Sequence, residues 1–355
     1  MTPERLTSIT NNSYVPAVMD GVFNSNVFMA RVFKRDPKPW DGATLYVPIA
    51  VAKNDANGSF QGVGNFDTSL KDTRRKQAFT PKFFYQGVTI SGVEKSINKT
   101  KAGVLKLLSQ TMQEAQTAMV DAIGDLLYGV GAGNDFQGLG AIVDNGANTS
   151  TYGDLSRTTF PLLNSSVLAA PGGALSLGFL ASLTRGAAAA GSKKEAPTMG
   201  LTDEITWDLY ETFLTPTVSA NYEAQSRAVV TAYSKPGAML EGGKSLEGVA
   251  GFETLRYRGR PLLADEKCPT GEIYLLNENY LDWYSLPAAD CQSYGHAEGG
   301  LEGVATEDQT PYPLYFTGLS KPDAQYAQTG QFLMLGNLIS GSTRRHAKGT
   351  GITTA

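Results

Sequence analysis

Histidine and cysteine are nearly absent from this chain: His296, His346, Cys268 and Cys291 are the only ones in 355 residues. All four lie apart, so they form no zinc-ligand spacing. Two cysteines are too few for a disulfide framework, and both are expected to be reduced thiols. Two histidines leave a serine or cysteine triad almost no choice of base, and His346 sits in the basic run "STRRHAKG", where a solvated tail histidine is expected. Long apolar runs are missing too. None approaches the ~18 residues of a membrane span, and "MTPERLTSITNNSY" holds no signal-peptide core. A soluble protein made in the cytosol, with no membrane partner, is expected. Charge is scarce, at 18% against a typical ~25%, whereas the 39 glycines are about 11% against a usual ~7%. This balance suits a chain that covers much of its surface with copies of itself. The net charge of −4 argues against non-specific nucleic-acid binding by the chain as a whole.

Two stretches mimic nucleotide chemistry. "AMLEGGKS" (238–245) fits the loosest phosphate-loop pattern, and "LLADE" (262–266) looks like a strand ending on magnesium-binding carboxylates. A working loop needs a strand before it and a helix directly after Lys-Ser, so that backbone N–H groups and the helix dipole meet the phosphates. Here "SKPG" interrupts any strand, and Gly248 and Gly251 make a poor helix start. The supposed magnesium strand follows too closely for a crossover helix, so Lys244 is expected to be an exposed loop lysine. "GVGAGNDFQGLG" (129–140) follows a helix where a dinucleotide loop needs a strand. "ALSLG" (174–178) lacks the strand that precedes a nucleophile elbow. No catalytic residue, cofactor or metal site is expected, and a phosphate-loop NTPase is the remote alternative.

Periodicity divides the chain into recognisable elements. Val18, Met19, Val22, Phe23, Val27, Phe28 and Val32 recur at helical spacing, and "TLYVPIAV" (44–51) alternates as a half-buried strand. A second strand-like run lies at 82–92, so 44–92 reads as an extended two-stranded arm with a tip rich in Gly, Asn, Asp, Lys and Arg. An isolated hairpin is marginal in water, and ordered loops of this length are usually functional, so a neighbouring subunit is expected to support the tip. Residues 54–78 hold few apolar side chains and are expected to matter for assembly, with Lys71, Arg74, Arg75 and Lys76 meeting acidic residues next door.

A long helix follows at 99–128. Val104, Leu108, Met112, Ala115, Met119, Ala122 and Leu126 form its apolar stripe, widened by Leu105, Ile123 and Leu127. Helices at 176–190 and from Asp203, with strands "TMGLT", "FETLRYR", "EIYLLN" and "LDWYSL", suggest an α/β domain inserted at 170–305. "QFLMLGNLISGS" (331–342) is apolar enough for a central strand. Charge is uneven: residues 31–101 carry thirteen Lys or Arg against six acids, and 203–308 carry seven against eighteen.

Several stretches, taken in order, resemble the major capsid proteins of tailed bacteriophages, the Hong Kong 97 fold. They are "NSNVFMARV", "FQGLGAIVDN", "TYGDLSRTTFPLLNSSV", "DLYETFLTP", "YRGRPLLADEKCPTGEIYLLNENYLDWY" and "TRRHAKGTGI". The resemblance covers about residues 15–352. It implies an α+β fold with an N-terminal arm (1–43), an extended two-stranded loop (44–92) and a peripheral domain (93–170) with a spine helix at 99–128. It further implies an axial domain (171–305) and a return to the peripheral domain with a basic C-terminal tail (306–355). A major capsid protein would self-assemble, as pentamers and hexamers, into an icosahedral shell around double-stranded DNA held non-specifically. It would reside in the virion capsid after assembly in the host cytoplasm. Its implied partners are a scaffolding protein and a portal, with a decoration protein as a further one. The first helix begins within about 15 residues, which points to a separate scaffolding protein or prior cleavage. Some relatives cross-link a loop lysine to an asparagine; Lys71 and Lys76 lie in the loop, but no acceptor is identifiable. An encapsulin-type compartment shell of the same fold is the alternative.

Overall fold

The computed structural model describes residues 18, 22, 26–33, 35, 37–52, 54–62, 64, 66–97, 100–188, 196–213, 254–286, 292–297, 300–304, 310–323 and 325–353. The first third holds α1 (Val27–Phe33), β1 (Lys38–Pro39), β2 (Leu45–Ala50), β3 (Arg74–Phe79), β4 (Lys82–Ser91), α2 (Gly92–Ile97) and α3 (Lys101–Tyr128). The middle holds α4 (Leu139–Ile142), β5 (Thr151–Tyr152), β6 (Leu155–Ser156), β7 (Ser166–Ala169), α5 (Leu177–Ala187), β8 (Met199–Thr202) and α6 (Glu204–Thr212). Strands then dominate: β9 (Thr254–Tyr257), β10 (Arg260–Ala264), β11 (Ile273–Leu276), β12 (Leu281–Ser285) and β13 (Gln292–Ala297). The last are β14 (Gly300–Val304), β15 (Thr310–Phe316), β16 (Ala327–Ser340) and β17 (Ala347–Thr350).

These elements form an α+β fold around two larger sheets. One has seven strands in the order β1-β12-β16-β15-β13-β14, with β4 also paired to β16. Its centre is β16, as its apolar sequence predicts: Phe332, Met334, Leu338 and Ile339 are all buried. The other has six strands, β7-β17-β11-β8-β10-β9. Helix α5 covers one face of it with Phe179, Leu180 and Leu183.

Helix α3 joins the two sheets. Thr100 caps it by accepting from the Gly103 N–H at 3.1 Å, and the Gly129 N–H closes the end on Leu126 O at 3.1 Å. Its buried line runs Leu108, Met112, Ala115, Met119, Ile123 and Leu127. The expected stripe continued through Ala122 and Leu126, which are only half-buried. The reason is geometric. A seven-residue repeat fits 3.5 residues per turn, and a straight helix drifts ~20° per heptad from it. By the last turns the buried line has moved one residue on. There the Tyr128 ring meets Tyr274 of β11 with centroids 5.8 Å apart, joining helix to second sheet.

Sheet membership differs from the expected ranges. Strands β12, β13 and β14, placed by the sequence within 171–305, pair into the seven-stranded sheet, whereas β17, placed in the tail, lies between β7 and β11. Strand pairing is non-local, so neither composition nor periodicity shows it.

The basic "tail" is accordingly part of the core. Lys348 is ion-paired to Glu272 at 2.7 Å, and the Arg345 guanidinium stacks over the Tyr280 ring at 5.8 Å. His346, expected in solvent, is fully buried between the ends of β16 and β11. The Asn277 N–H donates to its Nδ1 at 3.2 Å, so Nε2 carries the proton and donates to Ser340 Oγ at 2.9 Å. Burial pushes its pKa down to about 3, from 6.5 in the unfolded chain. The folded state therefore holds it neutral while the unfolded state takes up a proton below pH 6.5. Stability is complete above that pH and declines as the pH falls from 6.5 toward 3. The loss is about 1.4 kcal/mol per pH unit, roughly 2 kcal/mol at pH 5. Urea titrations between pH 7 and 4.5 are expected to show a shallower acid slope for His346→Gln than for the parent. Equal slopes would mean that His346 already titrates as an exposed histidine.

Candidate functional site

Among the described residues, the most exposed large apolar side chain, Leu70, lies in the arm. The arm is a hairpin of β2 and β3, in antiparallel register from Leu45↔Phe79 to Ala50↔Arg74. The return strand is thus not the expected 82–92. That stretch is β4, which pairs with β16 over its full length, Lys82↔Gly336 to Ser91↔Ala327. Three successive charges, Arg74, Arg75 and Lys76, are all exposed and hide the alternation, which appears only at buried Gln77 and Phe79.

The base of the arm is anchored. Phe79 packs edge-on to Tyr152 at 5.4 Å, and Ile49 and Val51 bury against Leu163, flanked by Leu155 and Phe160. The Ala78 N–H donates to Gly153 O at 3.0 Å. Gly153 has φ +56°, and a Cβ there would lie 2.7 Å from the Gln77 Cβ, so only glycine fits this close approach. Above the base, the Val51 N–H donates to Thr73 O at 3.0 Å and closes the paired region.

Beyond that bond lies the tip, 54–72, whose described residues form no helix or strand yet contact one another. The Lys71 ammonium sits 3.3 Å from Asp55 and 3.1 Å from Asp67. Hydrogen bonds to Asp67 and then Asp55 hold its pKa above the usual lysine range. Asp67 also accepts from the Ser69 N–H at 2.9 Å. The Phe60 and Phe66 rings meet edge to face, 4.9 Å apart. These contacts are within the tip and hide little from water: Phe60 is 63%, Phe66 65% and Leu70 99% exposed. Phe60, Val63, Phe66 and Leu70 recur every three or four residues, but the glycines and polar residues between them make a stable helix unfavourable, so the spacing does not read as a surface.

The four residues singled out for assembly separate into two pairs. Lys71 is held within the tip, and Arg75 pairs with Asp72 at 2.6 Å. Arg74 and Lys76 are exposed on β3, with Lys76 over the Tyr46 ring at 5.9 Å; among the described residues neither makes an ion pair.

Of the nucleotide-like stretches, 238–245 with Lys244 lies outside the described residues, as does Cys291. "LLADE" is described: β10 ends at Ala264, and Asp265 follows it, buried. Its Oδ1 accepts from Asn26 Nδ2 at 2.7 Å and from the Lys267 N–H at 3.0 Å. Its Oδ2 accepts from Tyr128 OH at 2.8 Å and the Phe28 N–H at 3.3 Å. Four donors occupy the lone pairs that a magnesium ion would need. Burial raises the Asp265 pKa, and these donors counteract it. The carboxylate ties α1, α3 and the six-stranded sheet together. The neighbouring Cys268 is buried, and desolvation pushes its thiol pKa well up, so it is an inert thiol.

No protein-family model matches the sequence, and no curated protein matches it. Solved structures do. A chain of the cyanophage A-1(L) capsid asymmetric unit superposes with a TM-score of 0.62 at 16% identity, covering 95% of this chain and 93% of that one. The capsid of Myoviridae phage XM1 gives 0.49 at 12% identity, covering 91% and 90%. An encapsulin from Synechococcus elongatus PCC 7942, solved as its holo-SrpI complex, gives 0.48 at 13%, covering 92% and 87%. The two weaker likenesses add nothing to the first, which spans both chains almost end to end at an identity that speaks for fold alone. The chain has the Hong Kong 97-like capsid fold.

Proposed function

We propose that this chain is a non-enzymatic shell protein, the major capsid protein of a tailed phage, which assembles with copies of itself around double-stranded DNA. The observation that carries the reading is the arm. Its base is packed and its tip residues contact one another, yet the tip presents large apolar side chains to water, as a surface awaiting another subunit does. The fold shared with the cyanophage A-1(L) capsid chain supports the same reading.

In this role α3 is the spine of the peripheral domain, and the six-stranded sheet with α5 and α6 forms the body of the axial domain. Pentamers and hexamers of the chain are the building units. A scaffolding protein and a portal guide closure in the host cytoplasm, a decoration protein is a further partner, and the finished location is the virion capsid. Shell formation needs no cofactor. Negative-stain microscopy of the purified chain, co-expressed with its scaffold, is expected to show closed polyhedral particles, with nuclease-resistant DNA in those recovered from virions. A chain that stays monomeric under those conditions and binds Mg-ATP saturably would overturn the reading.

The basic face of β3 gives a second test. Arg74 and Lys76 are free for contacts outside the arm, and Arg75 is the third charge of the row. Exposed ion pairs are worth only ~0–1 kcal/mol each, but a shell repeats them at every interface. Replacing Arg74, Arg75 and Lys76 with Glu is expected to leave a folded subunit that assembles poorly in low salt. Added salt should partly restore it, since screening over ~10 Å at 0.1 M weakens the new repulsion. Light scattering against salt concentration reads this out. Assembly equal to the parent's at low salt would remove these residues from the interface.

A further inference from the structure

Asn-Gly is the pair at which a peptide chain most readily modifies itself, because glycine has no Cβ to keep its backbone nitrogen from the preceding side-chain amide. The sequence contains it twice, at Asn57–Gly58 in the arm tip and at Asn145–Gly146 in the loop after α4. Both asparagines are exposed. Their surroundings differ.

Asn145–Gly146 is locked. The Gly146 N–H donates to Asp144 Oδ2 at 3.0 Å, and Asn145 Oδ1 accepts from the Ala147 N–H at 3.2 Å. Asp144 is itself buried and also takes the Asn148 and Thr149 N–H groups, so the loop is wrapped around its carboxylate. Attack by the Gly146 nitrogen on the Asn145 amide would break the first of these bonds, and a hydrogen bond to a carboxylate is among the stronger ones. At Asn57–Gly58 the turn stops one residue short. The Ala56 N–H donates to Asn54 Oδ1 at 3.0 Å and the Asn57 N–H to Asp55 O at 2.8 Å. Neither the Gly58 N–H nor the Asn57 side chain has a hydrogen-bond partner among the described residues. A Cβ built on Gly58 would meet nothing within 4 Å, so nothing packs against the nitrogen that would attack.

We propose that Asn57 is a self-modification site, at which the Gly58 backbone nitrogen attacks the Asn57 side-chain amide. The nitrogen gives its proton to solvent base and bonds to Cγ, while the amide C–N bond breaks and ammonia leaves. A five-membered imide then joins the two residues. Water opens either carbonyl of the ring, giving aspartate in one case and isoaspartate in the other. The sum is amide plus water to carboxylate plus ammonium, with no change of oxidation state and no co-reactant beyond solvent. The new carboxylate joins Asp55, Asp67 and Asp72 in a stretch whose one cation, Lys71, already spans Asp55 and Asp67. Isoaspartate also routes the main chain through a side-chain carbon, which changes the path of the tip. The reaction belongs to the single chain, whatever that chain assembles into.

Peptide mass spectrometry on the folded chain, held at mildly alkaline pH and sampled over time, tests this directly. The peptide with Asn57 is expected to gain the mass that replacing NH2 by OH adds, in two products that chromatography separates as aspartate and isoaspartate. The peptide with Asn145 is expected to change at least about tenfold more slowly, since a hydrogen bond to a charged group is worth that factor in a rate. In urea the two sites are expected to react alike, because the unfolded chain protects neither. Gly58→Ala falls where φ is outside the left-handed region and space is open. It is expected to keep the parent's melting temperature while losing most of the Asn57 product. An Asn57 that reacts no faster than Asn145 in the folded chain would overturn the assignment. A Gly58→Ala chain that reacts as fast as the parent would overturn the imide route.

Discussion

Met112→Asp is expected to abolish soluble protein. Met112 lies at the middle of α3, 1% exposed, within the apolar cluster that α3 shares with both larger sheets. Aspartate there loses the packing of a large side chain and places a carboxylate among the apolar side chains of that cluster. Burying such a charge unpaired costs several kcal/mol, and a domain has only about 5–15 kcal/mol in all. Gln113→Asp is the control: it adds the same residue at the same depth of the same helix, on the exposed face. The soluble fraction and melting temperature of the two variants check this. Met112→Asp that is soluble and assembles like the parent would mean that the helix buries a different face.

Elements governed by local pattern were legible in the sequence. The apolar stripe of α3 has one period over eight turns, and β16 is apolar enough to be read as central without knowledge of its neighbours. What escaped the sequence depends on partners far along the chain. Strand β3 was hidden because Arg74, Arg75 and Lys76 all face solvent in the arm, so its alternation spans only the last residues. The C-terminal run looked like a solvated tail because its charges are matched from a distance: Lys348 by Glu272, and Arg345 by the face of Tyr280. His346 was misplaced for the same reason, since, of the groups that satisfy it, Asn277 follows β11 of one sheet and Ser340 ends β16 of the other. Of the candidate site, the arm and its basic residues were visible, but the apolar tip was not. Its significance lies in what fails to cover it, and that is seen only once the chain is folded.

Excision of the arm tip is expected to separate folding from assembly. The cut belongs at 54–72, joined by a short glycine-containing turn. An excision reaching residue 78 would remove most of β3 and loosen the base that Phe79 anchors against Tyr152. Cutting at 54–72 keeps every pair of the β2–β3 ladder and all of the Ile49–Val51–Leu163 cluster. It removes mainly contacts the tip makes with itself, and the shorter connection eases loop closure by about 1 kcal/mol. The subunit should therefore melt at or slightly above the parent's temperature. What is lost is the exposed surface of Phe60, Phe66 and Leu70, the part of the chain proposed to meet a neighbour.

Sedimentation velocity on parent and tip-excised chains, each co-expressed with the scaffold, compares them under one set of conditions. The parent is predicted to run as a fast, closed particle and the excised chain as monomers or single capsomers with an unchanged melting temperature. Closed particles of equal size and yield from both chains would contradict the claim that this protein builds its shell through the arm.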